Sequence, residues 1–145
     1  MAVTAKLYGA FIDHLAQKRI DIDSDALKFA LATSSYTPNQ DTHDFFDDIT
    51  NEVAGTGYTA GGQALTSVTW AYNSTTNLWT LDSADPAWGS STITSRYGII
   101  YDSTPASNAT RPLIGYVDFG VDMSSSAGTF TVVVDSAGHG SITVT

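Results

Sequence analysis

A chain of 145 residues with 15 acidic and 6 basic side chains carries a formal charge of −9 and contains no cysteine. A domain of this length buries roughly 70% of the surface its unfolded form exposes, so one self-sufficient domain over 1–145 is expected, held by packing without disulfides or thiolate metal sites. The acidic balance argues against a sequence-independent nucleic-acid binder, whose affinity would come from Lys and Arg on phosphates.

The opening stretch MAVTAKLYGAFIDHLAQKRIDID is interrupted by Asp13, His14 and Lys18. Its apolar part is too short for a signal peptide or a membrane span, so a soluble protein without an export signal is expected. Leu7, Phe11 and Leu15, with Tyr8 and Ile12 alongside, have helical spacing and predict one amphipathic α-helix over 4–17. Lys6, Lys18, Arg19 and Lys28 fall in the first 28 residues, a cationic end on an acidic body. Solvated helix ends are the plain account of them, and a docking face for an acidic protein surface is the sharper one.

From residue 20 to 145 the chain reads as β. RIDID and ALKFALAT alternate, with Ile20, Ile22, Leu27, Phe29 and Leu31 on one face. SSYTPNQDTHD is a loop by composition, HDFFDDITNEV a helical turn capped by Asp41 or Thr42, and AGTGYTAGGQA a glycine-rich connector. Strands are then predicted near 65–72, 78–82, 92–102, 112–120, 128–135 and from 140 on, divided by NSTTN, SADPAWGSS, STPASNATR, DMSSSA and DSAGHG. So many short strands need two packed sheets or a closed barrel to bury their faces. The expected fold is an antiparallel β-sandwich, jelly-roll-like or Ig-like, with one N-terminal helix.

Ionisable groups crowd together only in DTHDFFDDITNE, residues 41–52. Carboxylate pairs do acid–base work when one of them sits in an apolar pocket, a setting that spacing alone does not supply. Phe45 and Phe46, with Ile49 and Val53, have the spacing of an anchor pinned to the core, which leaves Asp44, Asp47, Asp48 and Glu52 facing water. His43 is the nearest approach to a transition-metal ligand, but His14 and His139 lie far along the chain. DIDSDALKFALA, from Asp21, has acids at the first, third and fifth positions of a calcium loop; Ala26 and Ala32 stand where glycine and a bidentate glutamate belong. GTGYTAGG precedes a Thr-rich strand and fits neither dinucleotide nor P-loop spacing. The serines lack a G-x-S-x-G context. No catalytic residue, metal ligand or cofactor is therefore expected.

The succession LKFALATSSYTPNQDTHDFFDDITNEVAGTGYTAGGQAL, then TITSRYGIIYDST, then PLIGYVDFG, resembles small structural proteins of tailed bacteriophages, over roughly residues 5 to 145. That resemblance implies a non-enzymatic virion component, a capsid decoration (cement) protein on the outer head shell, made in the host bacterial cytoplasm and partnered by the major capsid protein. A minor tail, head-fibre or receptor-binding module is the alternative. Ala54 to Ile100 carry only three formal charges, Asp82, Asp85 and Arg96, yet hold Trp70, Tyr72, Trp79, Trp88 and Tyr97. Interfaces concentrate aromatics and exclude charge at their centres, so part of this set is expected to meet a second copy or a capsid subunit. A cement at three-fold positions of a shell would be a homotrimer, with Lys6, Lys18 and Arg19 as the face turned to the shell. Tryptophan in a β domain is otherwise core or a sugar platform.

Overall fold

A computed structural model describes residues 2–145 as eight strands and one α-helix. In chain order these are β1 (Thr4–Leu7), α1 (Ala10–Ala16), β2 (Leu27–Ala32), β3 (Gln63–Ala64), β4 (Thr69–Asn73), β5 (Leu78–Asp82), β6 (Ala87–Asp102), β7 (Leu113–Thr131) and β8 (Gly140–Thr143). A five-stranded sheet has the order β1-β7-β6-β2-β3, and a three-stranded sheet the order β4-β5-β8; every pairing is antiparallel. The β-sandwich with one helix read from the sequence is present. Its eight strands divide five and three between the two sheets.

Three elements differ from the sequence reading. The helix predicted over 4–17 begins only at Ala10, because Thr4–Leu7 pairs with β7 from Asp118 to Gly115 and so gains a ladder that outweighs helical spacing. Ile20 and Ile22 are buried but lie in a turn. There the Asp21 N–H donates to the Asp25 carboxylate at 2.6 Å and the Asp23 N–H to Asp21 at 3.1 Å, local bonds that compete with a strand. DMSSSA does not divide two strands, since β7 runs unbroken for 19 residues beside β6. Irregularity is taken up in bulges instead: the step from Tyr97 to Ser95 on β6 faces the longer step from Asp118 to Met123 on β7, with Gly120 at φ 79°. Hydroxyl pairs Ser91–Ser125 (2.7 Å) and Thr94–Ser124 (2.8 Å) then join the two strands across the serine-rich stretch.

The larger sheet is buried on both faces. Phe29 and Leu31 of β2, Ile100 of β6 and Val117 of β7 point toward the smaller sheet, where Leu81, Trp88 and Phe11 complete the main core. Gly98 belongs on this face because a Cβ there would overlap the Phe29 ring. Ala30, Ala32, Ile99, Tyr101, Leu113 and Tyr116 point the other way, into a second cluster closed by Tyr8, Tyr36 and Phe46. Residues 33–53 form that second cover. Their short 3-10 turn, Phe46–Asp48, lays the Phe46 ring on Tyr101, with centroids 3.9 Å apart and planes inclined by 18°. Backbone bonds fix its ends: Phe46 N–H to Arg111 C=O (2.9 Å), Leu113 N–H to Asp44 C=O (2.9 Å) and Val53 N–H to Leu31 C=O (2.8 Å).

Polar bonding inside this cover runs from Tyr8 OH to Tyr36 OH (3.0 Å) and from Tyr36 OH to His43 Nδ1 (2.8 Å). With each hydroxyl donating onward, both protons are used and the chain ends on His43 Nδ1. Burial pushes the Tyr36 phenol up to about 12 and the Tyr8 phenol further.

Removing the Phe46 ring should open a cavity under the cover and destabilise the protein by about 3 to 5 kcal/mol, whereas Asp47→Asn at an exposed position should change stability by less than about 1 kcal/mol. Tyr36→Phe, which strands Tyr8 and His43, should cost about 1 to 3 kcal/mol. Denaturant unfolding of the three variants checks the order.

Candidate functional site

The acidic segment is divided by what its carboxylates do. Asp44 and Asp47 are exposed, as their place opposite the apolar anchor suggested. Asp48 and Glu52 do not simply face water. The Asp48 carboxylate accepts the Asp44 N–H at 2.9 Å and lies 3.5 Å from the Phe45 N–H, which closes the backbone around the 3-10 turn. Glu52, half-buried, accepts Tyr58 OH at 2.6 Å and Gly61 N–H at 2.5 Å, so it ties the glycine-rich connector to the cover. Both acids are consumed by donors that would otherwise be unmet in a partly buried place.

The three histidines are held apart. His14 Nε2 donates to the Asp44 carbonyl at 3.0 Å, and Arg19 Nη1 lies 3.4 Å from its Nδ1. His43 ends the tyrosine chain. His139, buried at the edge of the core, bonds Ser83 Oγ at 2.7 Å. Among the described residues no three His, Cys, Asp or Glu side chains converge in a way that could hold an ion.

Ser83 and His139 have the spacing of a nucleophile and its base. The rest of the surroundings oppose that chemistry. Ser83 Oγ also lies 2.9 Å from the Ala84 carbonyl; with its proton given there it accepts from His139 Nε2–H, and the imidazole is then a donor at the atom a base would use. The backbone donors an oxyanion would need are engaged: Ser83 N–H with Asp82 Oδ1 (2.8 Å) and Ala84 N–H with Thr66 C=O (2.9 Å). A structural role follows, because the His139 N–H also donates to Leu81 C=O at 2.7 Å and fixes the 135–139 turn to β5.

The aromatic and cationic residues expected at an interface are not one patch. Trp88 is fully buried beside Phe29 and Phe130, so it is core and is corrected from the interface set. Its N–H is the one buried side-chain polar atom without a partner among the described residues. The reason sequence misplaced it is that SADPAWGSS reads as a turn, while β6 in fact starts at Ala87. Tyr97 lies on the opposite side of the large sheet, half-buried and edge-on to Tyr36 at 5.8 Å, with the Arg96 guanidinium 5.6 Å from its ring. Arg96 is paired with Asp118 at 2.7 Å, which holds that carboxyl below its usual range.

Trp70, Tyr72 and Trp79 do come together, because Tyr72 stands opposite Trp79 in the β4–β5 pairing and Trp70 shares its face two residues away. The two indoles stack at 5.4 Å with planes 16° apart, and Tyr72 leans on Trp79 at 5.5 Å. Burial fades toward the hairpin tip: Leu81 is enclosed, both indoles are half-buried and Tyr72 is 44% exposed. Beside Trp70 lies an open cleft of about 380 Å³ lined by Lys18, Asp21 and Asp23 with Leu15, Ile20 and Ile22. Lys6 is exposed on edge strand β1, and Arg19 is exposed with its guanidinium 6.0 Å from the Phe45 ring. A second, apolar groove under the end of β7 was not anticipated; the uncharged run Met123–Val134 was the signal that could have found it.

Comparison with protein-family models, with curated proteins and with solved structures finds no match to this chain. No α-helix among the described residues is long and apolar enough to cross a membrane.

Burial lowers the pKa of His139 from 6.5, against the opposing pull of Asp82 and Asp85. The folded state therefore binds fewer protons than the unfolded chain between those two values, and stability falls as pH drops below 6.5 until the folded pKa is passed. Melting curves at successive pH values should show this loss in the wild type and a smaller one in His139→Gln; equal slopes would exclude His139 as its source.

Proposed function

We propose that this chain is a non-enzymatic structural protein of a tailed-bacteriophage particle: a decoration protein that binds the outside of the head shell as a homotrimer, with the major capsid protein as its partner. Likeness to small phage structural proteins underlies the reading, and one observation carries it further. A chain of charge −9 keeps Ala54–Leu81 free of formal charge and ends that run in a hairpin with half-exposed Trp70 and Trp79 and exposed Tyr72. Such a surface meets protein more readily than water, since interface centres favour aromatics and exclude charge. Exposed Lys6, Lys18 and Arg19 suit an acidic shell.

A receptor-binding module is the second reading, favoured by the Asp21 and Asp23 carboxylates across the cleft from Trp70. Stacked indoles already cover part of each other, which reduces the ring face a sugar could use.

Purified protein mixed with shells that lack it should sediment with them, and Trp79→Ala should weaken that binding at least about ten-fold, the effect of losing an anchor residue. Protein that stays in the supernatant contradicts the shell reading. Quenching of tryptophan fluorescence by a saccharide panel, without shell binding, would favour the receptor module.

A further inference from the structure

After Thr131 the chain leaves the sheet just where its sequence most favours one. Val132, Val133 and Val134 are β-branched in succession, yet none of them lies in a strand. The Val132 N–H donates to the Pro86 carbonyl at 3.0 Å and the Val134 N–H to Asp85 Oδ1 at 2.8 Å, while the backbone groups of Val133 between them have no partner among the described residues. Val133 is 77% exposed. It stands on the rim of a groove of about 400 Å³ walled by Val3, Val117, Phe119, Met123 and Phe130. Val3 and Met123 are also exposed, at 64% and 47%. β1 pairs with β7 no further than Asp118, so the outer edge of β7 beyond that point is not covered by it.

Charge indicates what belongs there. Met123–Val134 carries no formal charge, nor does the facing stretch Pro86–Ser95, although the chain as a whole is at −9. Edge strands that must stay alone are guarded by lysine, inward charges or bulges, and this edge has bulges but no charge. A cationic partner would be drawn to the carboxylates elsewhere, and an anionic one would find no cation here. Two copies of an acidic chain repel each other except through neutral surface, and this is such a surface, apolar at its centre with Asp122 and Asp135 only at its ends.

We propose that the groove and the adjoining β7 edge, Met123 to Val134, are where a second copy of this chain docks, its own uncharged valine-bearing rim filling the groove. The assignment rests on the self-association included in the decoration reading and is independent of the shell. Bulges at Gly120 and Ala127 interrupt the edge, so contact is made by side chains in the groove more than by a continuous ladder.

Light scattering and sedimentation equilibrium on the full chain at micromolar concentrations test this. The wild type should have the mass of two or more chains. Val133→Asp and, separately, Met123→Asp should weaken association at least ten-fold without shifting the melting curve, and Ile12→Asp, on the exposed face of α1 away from the groove, should leave the mass unchanged. A strictly monomeric wild type overturns this proposal and the homotrimer together. An oligomer that persists undiminished in both groove variants overturns the groove assignment alone, and sedimentation of those variants with shells judges the shell reading separately.

Discussion

The large sheet needs two covers, and most of the structure follows from that. Alternate residues of β2, β6 and β7 place apolar side chains on both faces, Phe29, Leu31 and Val117 on one, Ala30, Tyr101 and Leu113 on the other. One cover is the three-stranded sheet with α1. The other has no regular structure beyond a single 3-10 turn, and holds by the stack of Phe46 on Tyr101, the Tyr8–Tyr36–His43 chain and backbone bonds to β2 and β7. A ring stack of this kind contributes about 0.5 to 1.5 kcal/mol beyond the area it buries.

Seen from the cover, the acidic cluster loses its appearance of an active site. A segment without strands or long helices has many backbone N–H groups to satisfy, and Asp and Glu are the side chains suited to accept them. Asp48 and Glu52 serve the segment from within, while Asp44 and Asp47 stay in water and keep its outer surface hydrated. Charge is withheld instead at two surfaces, the aromatic hairpin tip and the apolar groove under β7.

Period-two patterns made much of this legible. The alternation near 78–82 marks β5, Leu78–Asp82, and the spacing of Phe45, Phe46, Ile49 and Val53 marks an anchor in which Phe46 and Val53 are buried. The failures have separate causes. Thr4–Leu7 has helical spacing, and its strand partner β7 lies more than 100 residues away and leaves no local trace. Ser124–Ser126 has the composition of a turn, whereas here hydroxyl pairs with β6 hold it in a ribbon. Val132–Val134 has the propensity of a strand, but no strand pairs with it, and its Val132 and Val134 N–H groups bond to Pro86 and Asp85 instead. Trp88 could be placed in the core only once β6 was known to start before it.

Hydrogen exchange followed by mass spectrometry tests the central claim, that residues 33–53 are a structural cover and not a mobile functional loop. Amides bonded within it and to the sheet, those of Phe46, Val53 and Leu113 among them, should be protected to nearly the same degree as the amides of β2, because the second core cannot stay closed without them. Exchange of the segment orders of magnitude faster than β2, with the rest of the sheet still protected, would contradict the account and return the acidic cluster to consideration as a site.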